Sequence, residues 1–184
     1  MTPEELASLI ERRRSSLLID ANSVVSPDDI IAFTHAAQWA PNHKRTWPLR
    51  ICAITGESRR QLGEVIADAM RDRGDEVQKV EKTRTKYLRS PLVLAVASAE
   101  GTSASETTEN SYAVAAGIQN LLLTAEARGY AALWGSPAKG SNGAITVFCG
   151  FDTTDTVMGL IYVGRPTQTP PPVDRPPTRI TYRN

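Results

Sequence analysis

Two apolar patterns alternate along the chain and predict its secondary structure. Apolar residues three or four positions apart, as on one face of a helix, occur in segments 4–14, 27–39 and 57–72. Apolar runs that favour strands occupy residues 49–55, 92–98, 130–134 and 156–163. The run at 92–98 is continuous, which indicates a strand buried on both faces. We also expect a solvated helical segment within the charge-dense stretch 71–89, and a polar loop at 100–109.

Two of the predicted helices begin with capping sequences. Thr2-Pro3-Glu4-Glu5 combines a capping box with proline at the first helical position. Ser26-Pro27-Asp28-Asp29 places a serine before proline and two acids, and those acids suit the positive end of a helix. We expect the first helix to end near Arg14. The second should stop before Pro41, because proline cannot continue a helix.

The segment 112–127 predicts the most informative helix, since it is apolar almost all round. Such a helix must be buried on most of its sides. Its small residues at 115–117 would permit close approach of a second helix, and Gly129 is placed to close it. One chain of 184 residues can cover a helix of this kind, but a homodimer interface explains it more easily.

The predicted order of elements is ααβα(α)βαβ(α)β, which indicates an α+β fold in a single domain. This domain is expected to span residues 1–165. The remainder, 166–184, holds six of the chain's twelve prolines and cannot form a helix or a central strand. We expect an extended tail there, either loose or packed on a partner subunit.

Composition excludes several classes of protein. The formal charge of +1 lacks the basic excess of nucleic-acid-binding proteins. No apolar run approaches the ~18 residues of a membrane span, and no signal peptide is evident at the N-terminus. The two cysteines, Cys52 and Cys149, form neither a CxxC pair nor a disulfide framework. We therefore expect a cytoplasmic protein that binds neither nucleic acid nor membrane.

Common catalytic motifs are missing from the sequence. It has no GxGxxG fingerprint, no GxSxG elbow and no HExxH. The glycines at 135 and 140 have the spacing of a P-loop, but Ser141 stands where that loop requires lysine. His35 and His43 lie eight residues apart across a predicted helix end, so one helix face cannot present both to zinc.

Three polar segments remain as candidate sites, each with an ordinary structural alternative. The run 12–16 (Arg-Arg-Arg-Ser-Ser) suits a phosphate, because guanidinium forks match its oxygens, but cations also simply complement a helix C-terminus. The segment 40–48 gathers donors between two prolines, or is a polar surface loop. The segment 134–137 (Trp-Gly-Ser-Pro) follows a strand and could border a flat ring, or Ser136 could cap a following helix.

Taken in order, these segments resemble the nitroreductase family, and chiefly its small single-domain NAD(P)H nitroreductases. No single motif is specific, but the ordered set is, and it covers residues 4–166. The motifs are Arg13-Arg14-Ser15, 40–44, 112–127, 129–136 and 159–164.

The resemblance implies a mixed sheet flanked by helices in a domain-swapped homodimer, whose two subunits share two identical FMN sites. In this family the Arg-Arg-Ser segment binds the phosphate and ribityl chain, which assigns Arg13, Arg14 and Ser15 to FMN. The Ala-Pro-x-His loop enters from the partner subunit and carries His43. The segment beside the isoalloxazine ring corresponds to Trp134, Gly135 and Ser136.

The chain departs from the family pattern at three places. Leu17 stands where related proteins often have a further arginine. Trp39 occupies the position of an arginine that contacts FMN in the small subgroup, so Trp39 is included among the cofactor-binding residues. The usual Pro-Trp order is reversed as Trp47-Pro48. These changes remove positive charge near the flavin or reshape the pocket, and Arg12 or Arg45 could compensate.

The resemblance implies that hydride passes from NADH or NADPH to FMN, and then to a small-molecule acceptor such as a nitroaromatic or quinone, in ping-pong order. The sequence identifies no residue as a catalytic acid or base. Alternatives on the same fold are dehalogenation, enone reduction, or flavin binding without turnover. A nucleic-acid module built on 71–89 is disfavoured, because that stretch mixes seven basic with four acidic residues and has one aromatic residue, Tyr87.

Overall fold

The computed structural model describes residues 2–183. Four strands form one sheet: β1 Leu49–Thr55, β2 Leu92–Ser98, β3 Ala131–Gly135 and β4 Thr156–Gly164. Six helices accompany them: α1 Pro3–Arg12, α2 Pro27–Gln38, α3 Ser58–Asp72, α4 Val77–Lys86, α5 Ala104–Ala127 and α6 Asn142–Cys149. Short 3₁₀ turns lie at His43–Arg45 and Tyr87–Arg89. The observed order of elements confirms the predicted one, including the two helices that the pattern left in parentheses.

The sheet is antiparallel, which corrects the expectation of a mixed sheet. Its strand order is β1-β2-β4-β3, and each neighbouring pair runs in opposite directions. The reason is that α3 and α4 pack as a hairpin and return the chain to the end of the sheet that β1 left. Among the described residues, the parallel pairing is limited to one isolated bridge, from Ser15 to Ala132.

The sheet separates two hydrophobic cores. Along β2, Val93 and Ala95 face α3, α4 and α6, whereas Leu92, Leu94 and Val96 face α2 and α5. Every residue of β2 is buried. The continuous apolar run at 92–98 therefore has the physical cause inferred from the sequence, which is burial on both faces.

The helix α5 begins eight residues earlier than predicted, so the expected loop at 100–109 is wrong from Ala104 onward. Ser103 caps the helix by accepting from the Glu106 N–H. The first turns carry several Ser and Thr side chains, which are weaker helix formers and common in caps and turns, and this concealed their helical state. Several of these hydroxyls donate to carbonyls one turn back, so the polar side chains are satisfied inside the helix.

The apolar residues of α5 are covered by the same chain. Leu121 is fully buried between the sheet and α2. Gly117 allows α2 to approach closely, since a Cβ there would lie 2.8 Å from the carbonyl oxygen of Ala37. Packing within the protomer thus accounts for the apolar stripe that had suggested a dimer. The opposite side of α5 is open, and Tyr112 is 69% exposed there.

The two helix starts predicted from capping sequences are confirmed, while the end of the first helix differs. Thr2 forms the full capping box with Glu5, and Ser26 accepts from the Asp29 N–H. The first helix ends at Arg12 rather than near Arg14, because the backbone at Arg13 is already extended. Among residues 2–183, no helix combines the length and apolar character needed to cross a membrane.

The charge-dense stretch folds as α4 and the turn that follows it. Arg84 pairs with Glu64, Asp68 and Glu81, so its charge is neutralised on the surface. Tyr87 is buried and stacks on Tyr162 with ring centroids 6.0 Å apart. The single aromatic residue of this stretch therefore cannot serve as an exposed platform for a nucleic-acid base.

The tail beyond β4 is extended, as expected from its prolines. Arg165 anchors its start: the guanidinium lies 3.8 Å from the centroid of the Tyr130 ring and donates to the carbonyl of Arg128. Farther along, Val173, Ile180 and other tail side chains are exposed.

Candidate functional site

The Arg13–Ser15 segment lies beside the edge strand β3. After α1 ends, the extended chain reaches β3, where Ser15 forms the bridge to Ala132. The backbone N–H of Ser16 donates to the carbonyl of Ala132 at 3.1 Å. The first and third candidate segments of the sequence are therefore brought together on one edge of the sheet.

The extended backbone divides this segment between two sides, because successive side chains of an extended chain point in opposite directions. Arg14 and Ser16 line a cavity of about 400 Å³ that the tail covers. Arg13 and Ser15 are not part of its lining. The sequence grouped Arg13, Arg14 and Ser15 as one phosphate site, whereas the structure presents Arg14 to one side and the other two to the opposite side.

The arginines at this edge lack enough acidic partners. Within residues 2–183 the half-buried Arg13 guanidinium makes no ion pair inside 4.0 Å. Burial, together with the charges of Arg175 and Arg14, lowers the pKa of Arg13, and Glu126 only partly opposes this. Excess positive charge in a partly desolvated place is relieved by an anion. The sequence reasoning missed Arg175, since its position in the proline-rich tail gave no sign that it approaches α1.

Arg14 adds an unused donor. Its terminal nitrogen donates to the carbonyls of Glu11 and Arg13, but its Nε is buried and has no hydrogen-bond partner. A buried N–H without a partner costs about 1–3 kcal/mol. The Arg13 guanidinium and the Arg14 Nε are therefore donors that a bound anion could satisfy.

Further along the edge strand β3, the backbone N–H and C=O of Trp134 point away from the neighbouring strand β4. The carbonyl of Ala132 points away from β4 and accepts from Ser16. Along an edge strand, the backbone groups of every second residue point away from the neighbouring strand. The N–H and C=O of Trp134 consequently point outward as well. A planar heterocycle placed against this edge could hydrogen-bond to both groups.

The Trp134 side chain is held over the sheet rather than free. Its indole N–H donates to the carbonyl of Met158 at 2.9 Å. Gly159 makes room for it, since a Cβ there would lie 2.1 Å from the indole nitrogen. Ser136 is exposed and does not cap a helix, because α6 starts at Asn142 after Ser141. Ser136 thus lies exposed beside a fixed indole, whereas the backbone groups of Gly135 face β4.

The loop that carries His43 is rigid. Asn42 donates to the Thr46 hydroxyl, which in turn donates to the Asn110 side chain of α5 at 2.6 Å. Lys44, Arg45 and Trp47 all have positive φ angles. Such angles cost on the order of 1–3 kcal/mol each for residues other than glycine and persist only where the surroundings enforce them.

The loop meets acidic groups at the start of α5 instead of the arginines at β3. The imidazole of His43 lies 3.9 Å from Glu109. Hydrogen bonds from Thr102 lower the pKa of Glu106, and the charge of Lys44 adds to this effect. Trp39, at the end of α2, is 75% exposed and donates to His35. These glutamates escaped the sequence analysis, because they fell in the segment assigned to a loop.

Within one chain, the loop and the β3 edge are far apart. The loop leads into β1, which is the opposite edge strand. Three strand spacings separate β1 from β3, roughly 14 Å across the sheet. The structure thus joins the Arg13–Ser15 and Trp134–Ser136 segments, but does not bring Trp39 or His43 to them.

Comparison with known proteins decides the family. A sequence model described as the nitroreductase family matches residues 10–165. The chain belongs to the nitroreductase family. A comparison with curated protein sequences gives no match.

Solved structures share the fold of this nitroreductase-family chain. A nitroreductase-like family protein from Bacillus cereus is 24% identical, with 98% of each chain covered and a TM-score of 0.83. A nitroreductase with bound FMN from Bacteroides fragilis is 20% identical, covering 98% of this chain and 99% of that one, with a TM-score of 0.77. An FMN-dependent nitroreductase from Mycobacterium smegmatis, in complex with NADPH, is 15% identical, covering 97% and 99%, with a TM-score of 0.75.

Proposed function

We propose that this protein is an FMN-dependent oxidoreductase that takes hydride from NADH or NADPH and reduces a small acceptor such as a nitroaromatic or a quinone. The observation that carries the proposal is the pair of features on one sheet edge: the Arg13 guanidinium, which makes no ion pair with residues 2–183, and the outward backbone groups of Trp134. The first suits a phosphate and the second suits a flat ring. The nitroreductase with bound FMN and the FMN-dependent nitroreductase support the same cofactor.

The residues present fit FMN in size and in order. In the proposal, Arg13 with Ser15 holds the phosphate and the start of the ribityl chain, whereas Arg14 faces the cavity on the opposite side of the segment and adds only its positive charge. Trp134, Gly135 and Ser136 border the ring. The bridge at Ala132 lies two to four residues from Trp134–Ser136 along β3, roughly 7–13 Å, which leaves room for a ribityl chain between the two ends.

A homodimer completes the proposed site. Trp39 and His43 lie too far from β3 to serve the flavin of their own chain, so in the proposal they serve the partner's. The exposed side of the α2–α5 pair offers the interface, because Ile31, Trp39 and Tyr112 present apolar surface there. The tail at 166–184 is proposed to pack on the partner, in the manner of a domain swap.

Bound FMN supplies the hydride chemistry, and the protein supplies position and charge. Arg13 fixes the phosphate end, while the Trp134 N–H and neighbouring amides offer donors to the ring edge, where negative charge develops on reduction. If the protein covers one face of the ring, donor and acceptor would have to use the same open face in turn, and double-reciprocal plots would then show parallel lines.

The first test concerns the cofactor. The purified protein should show the absorbance bands of oxidised flavin, heating should release FMN, and anaerobic NADH or NADPH should bleach those bands rapidly. Recovery of FAD, or a colourless protein that rejects added FMN, would contradict the proposal. Bound FMN that neither NADH nor NADPH bleaches would indicate a flavin-binding protein without turnover.

The second test concerns the sharing of the site. Arg13→Ala and His43→Ala homodimers are each expected to have little activity. In a mixed dimer, one site carries both substitutions and the other carries neither, so random subunit exchange should restore about a quarter of wild-type activity. If His43 serves the flavin of its own chain, every site stays damaged and mixing restores nothing. Mixing Arg13→Ala with itself under the same exchange conditions is the control.

A further inference from the structure

The cavity of about 400 Å³ behind the Arg13–Ser15 segment has no part in the proposed flavin site. It lies between the end of α1, the end of α5, the start of β3 and the first residues of the tail. Arg13 and Ser15 are not part of its lining, so a ligand here and a flavin held by Arg13 would bind on opposite sides of the segment. The volume falls within the range of about 300–1,000 Å³ that is usual for small-molecule sites.

The walls of this cavity are largely apolar and rigid. The Tyr130 side chain is buried, and its hydroxyl donates to Asp29 at 2.7 Å. Three prolines of the tail complete the apolar lining: Pro166, Pro170 and Pro172. The proline ring fixes the backbone φ angle, so these walls lose little freedom when a ligand binds. A flexible ligand would lose its own rotational freedom on binding, and the cavity therefore favours a rigid, flat molecule.

The tail side of the cavity is fixed to its own chain. The backbone N–H of Thr167 donates to the carbonyl of Leu18 at 2.9 Å, and Pro166 forms a bridge with Ile19. The preceding residue, Arg165, is anchored over the Tyr130 ring. The cavity is therefore formed within one protomer.

The charges around the cavity leave one positive group without an acidic partner. Arg12 and Glu126 both line the cavity, and they pair with each other at 3.4 Å. Arg14 also lines it, and its guanidinium donates to the backbone carbonyls of Glu11 and Arg13. Within residues 2–183, Arg14 makes no ion pair inside 4.0 Å. A partly buried cation is costly without a counter-charge, so the lining complements a ligand with a single negative charge.

We propose that this cavity binds an aromatic carboxylate, which is a flat apolar molecule with one negative charge. The aromatic body packs against Tyr130 and the tail prolines, and the carboxylate accepts from the Arg14 guanidinium. Gln168 and Thr169 lie at the same cavity and offer further donors. Because the tail forms one wall, a bound ligand holds residues 166–172 in place. The inference does not involve the flavin, so it stands or falls separately from the proposed function.

The test is isothermal titration calorimetry of the purified protein with 2-naphthoate. One naphthoate should bind per chain, with the same affinity in the presence and absence of added FMN. The uncharged 2-naphthamide should bind roughly ten- to a hundredfold more weakly, because it cannot form the charge-assisted hydrogen bond. Octanoate carries the same carboxylate on a flexible chain and should also bind more weakly. Equal affinities for naphthoate and naphthamide, tighter binding of octanoate, or displacement of naphthoate by FMN would overturn the proposal.

Substitutions on the two sides of the extended segment locate the site. Arg14→Gln should weaken 2-naphthoate binding roughly ten- to a hundredfold and leave the affinity for 2-naphthamide nearly unchanged. Arg13→Gln is the matched control, since Arg13 is not part of the lining, and it should keep the wild-type affinity for 2-naphthoate. Equal losses in the two variants would show that only the general positive field attracts the ligand, and would refute the role of Arg14.

A variant of the tail tests the same site without touching α1. Gln168 is exposed, so Gln168→Glu should fold normally and keep the wild-type melting temperature. Its negative charge at the cavity should weaken 2-naphthoate binding several-fold and leave the affinity for 2-naphthamide nearly unchanged. An unchanged affinity for 2-naphthoate in this variant would place the ligand elsewhere.

Hydrogen exchange of the wild-type protein, followed by mass spectrometry, provides a readout that needs no substitution. Bound 2-naphthoate should slow the exchange of the backbone amides at 167–169, because the ligand holds this part of the tail against the cavity. The amides at 179–183 lie beyond the cavity lining and should exchange at the same rate with and without the ligand. Protection elsewhere in the chain, with none at 167–169, would contradict the proposed site.

Discussion

Replacing Arg13 with alanine is expected to weaken FMN binding roughly ten- to a hundredfold and to leave the fold intact. A hydrogen bond to a charged group contributes about 1.5–3 kcal/mol, which corresponds to that range of affinity. Stability should change little, because within residues 2–183 the Arg13 guanidinium has no ion-pair partner to lose. Titration of flavin-free protein with FMN, followed by fluorescence, measures the dissociation constant.

Arg12 provides a matched control for this substitution. It is the preceding arginine, its side chain is 55% exposed, and it pairs with Glu126 at 3.4 Å. Surface pairs of this kind contribute about 0–1 kcal/mol, so Arg12→Ala should leave FMN affinity nearly unchanged. Equal losses in both variants would mean that the general positive field attracts FMN and no specific contact exists. An unfolded Arg13→Ala protein would make Arg13 a structural residue instead.

Replacing Leu121 with aspartate should prevent folding. Leu121 has no exposed surface and lies in the core between α2 and the sheet. Truncation of a buried leucine alone costs about 2–5 kcal/mol, and an unpaired buried charge costs more. The sum is comparable to the whole stability of a domain, about 5–15 kcal/mol. Far-ultraviolet circular dichroism and thermal unfolding should show no cooperative transition.

Tyr112→Asp is the counterpart on the exposed side of the same helix. Its side chain is 69% exposed in the single chain, so the protomer should fold normally. If the α2–α5 surface is the dimer interface, the added charge should convert the dimer to a monomer in sedimentation at micromolar concentration. A folded Leu121→Asp protein would show that this position is not in the protomer core. A Tyr112→Asp protein that remains dimeric would place the interface elsewhere.

Short-range sequence patterns predicted secondary structure correctly where they reflect the burial or the hydrogen bonding of the folded protein. The apolar runs at 49–55 and 92–98 coincide with β1 and β2, because strand burial is visible as a run of apolar residues. The caps at Thr2 and Ser26 form as predicted, since a cap involves residues only three positions apart. The early start of α5 was missed, because helix propensity at Ser and Thr is decided by hydrogen bonds within the finished helix.

The sequence by itself determined the order of the ten elements, the two capped helix starts at Thr2 and Ser26, and the family resemblance that the comparison confirmed. The tertiary structure alone decided which distant groups meet. It set Arg13 and Arg14 on opposite sides of an extended segment and placed the His43 loop at the far edge of the sheet. Hydrophobic periodicity and helix capping depend on residues only a few positions apart, and so they can be predicted from the sequence. Contacts between strands and helices depend on sheet order and register, which follow from how the whole core packs.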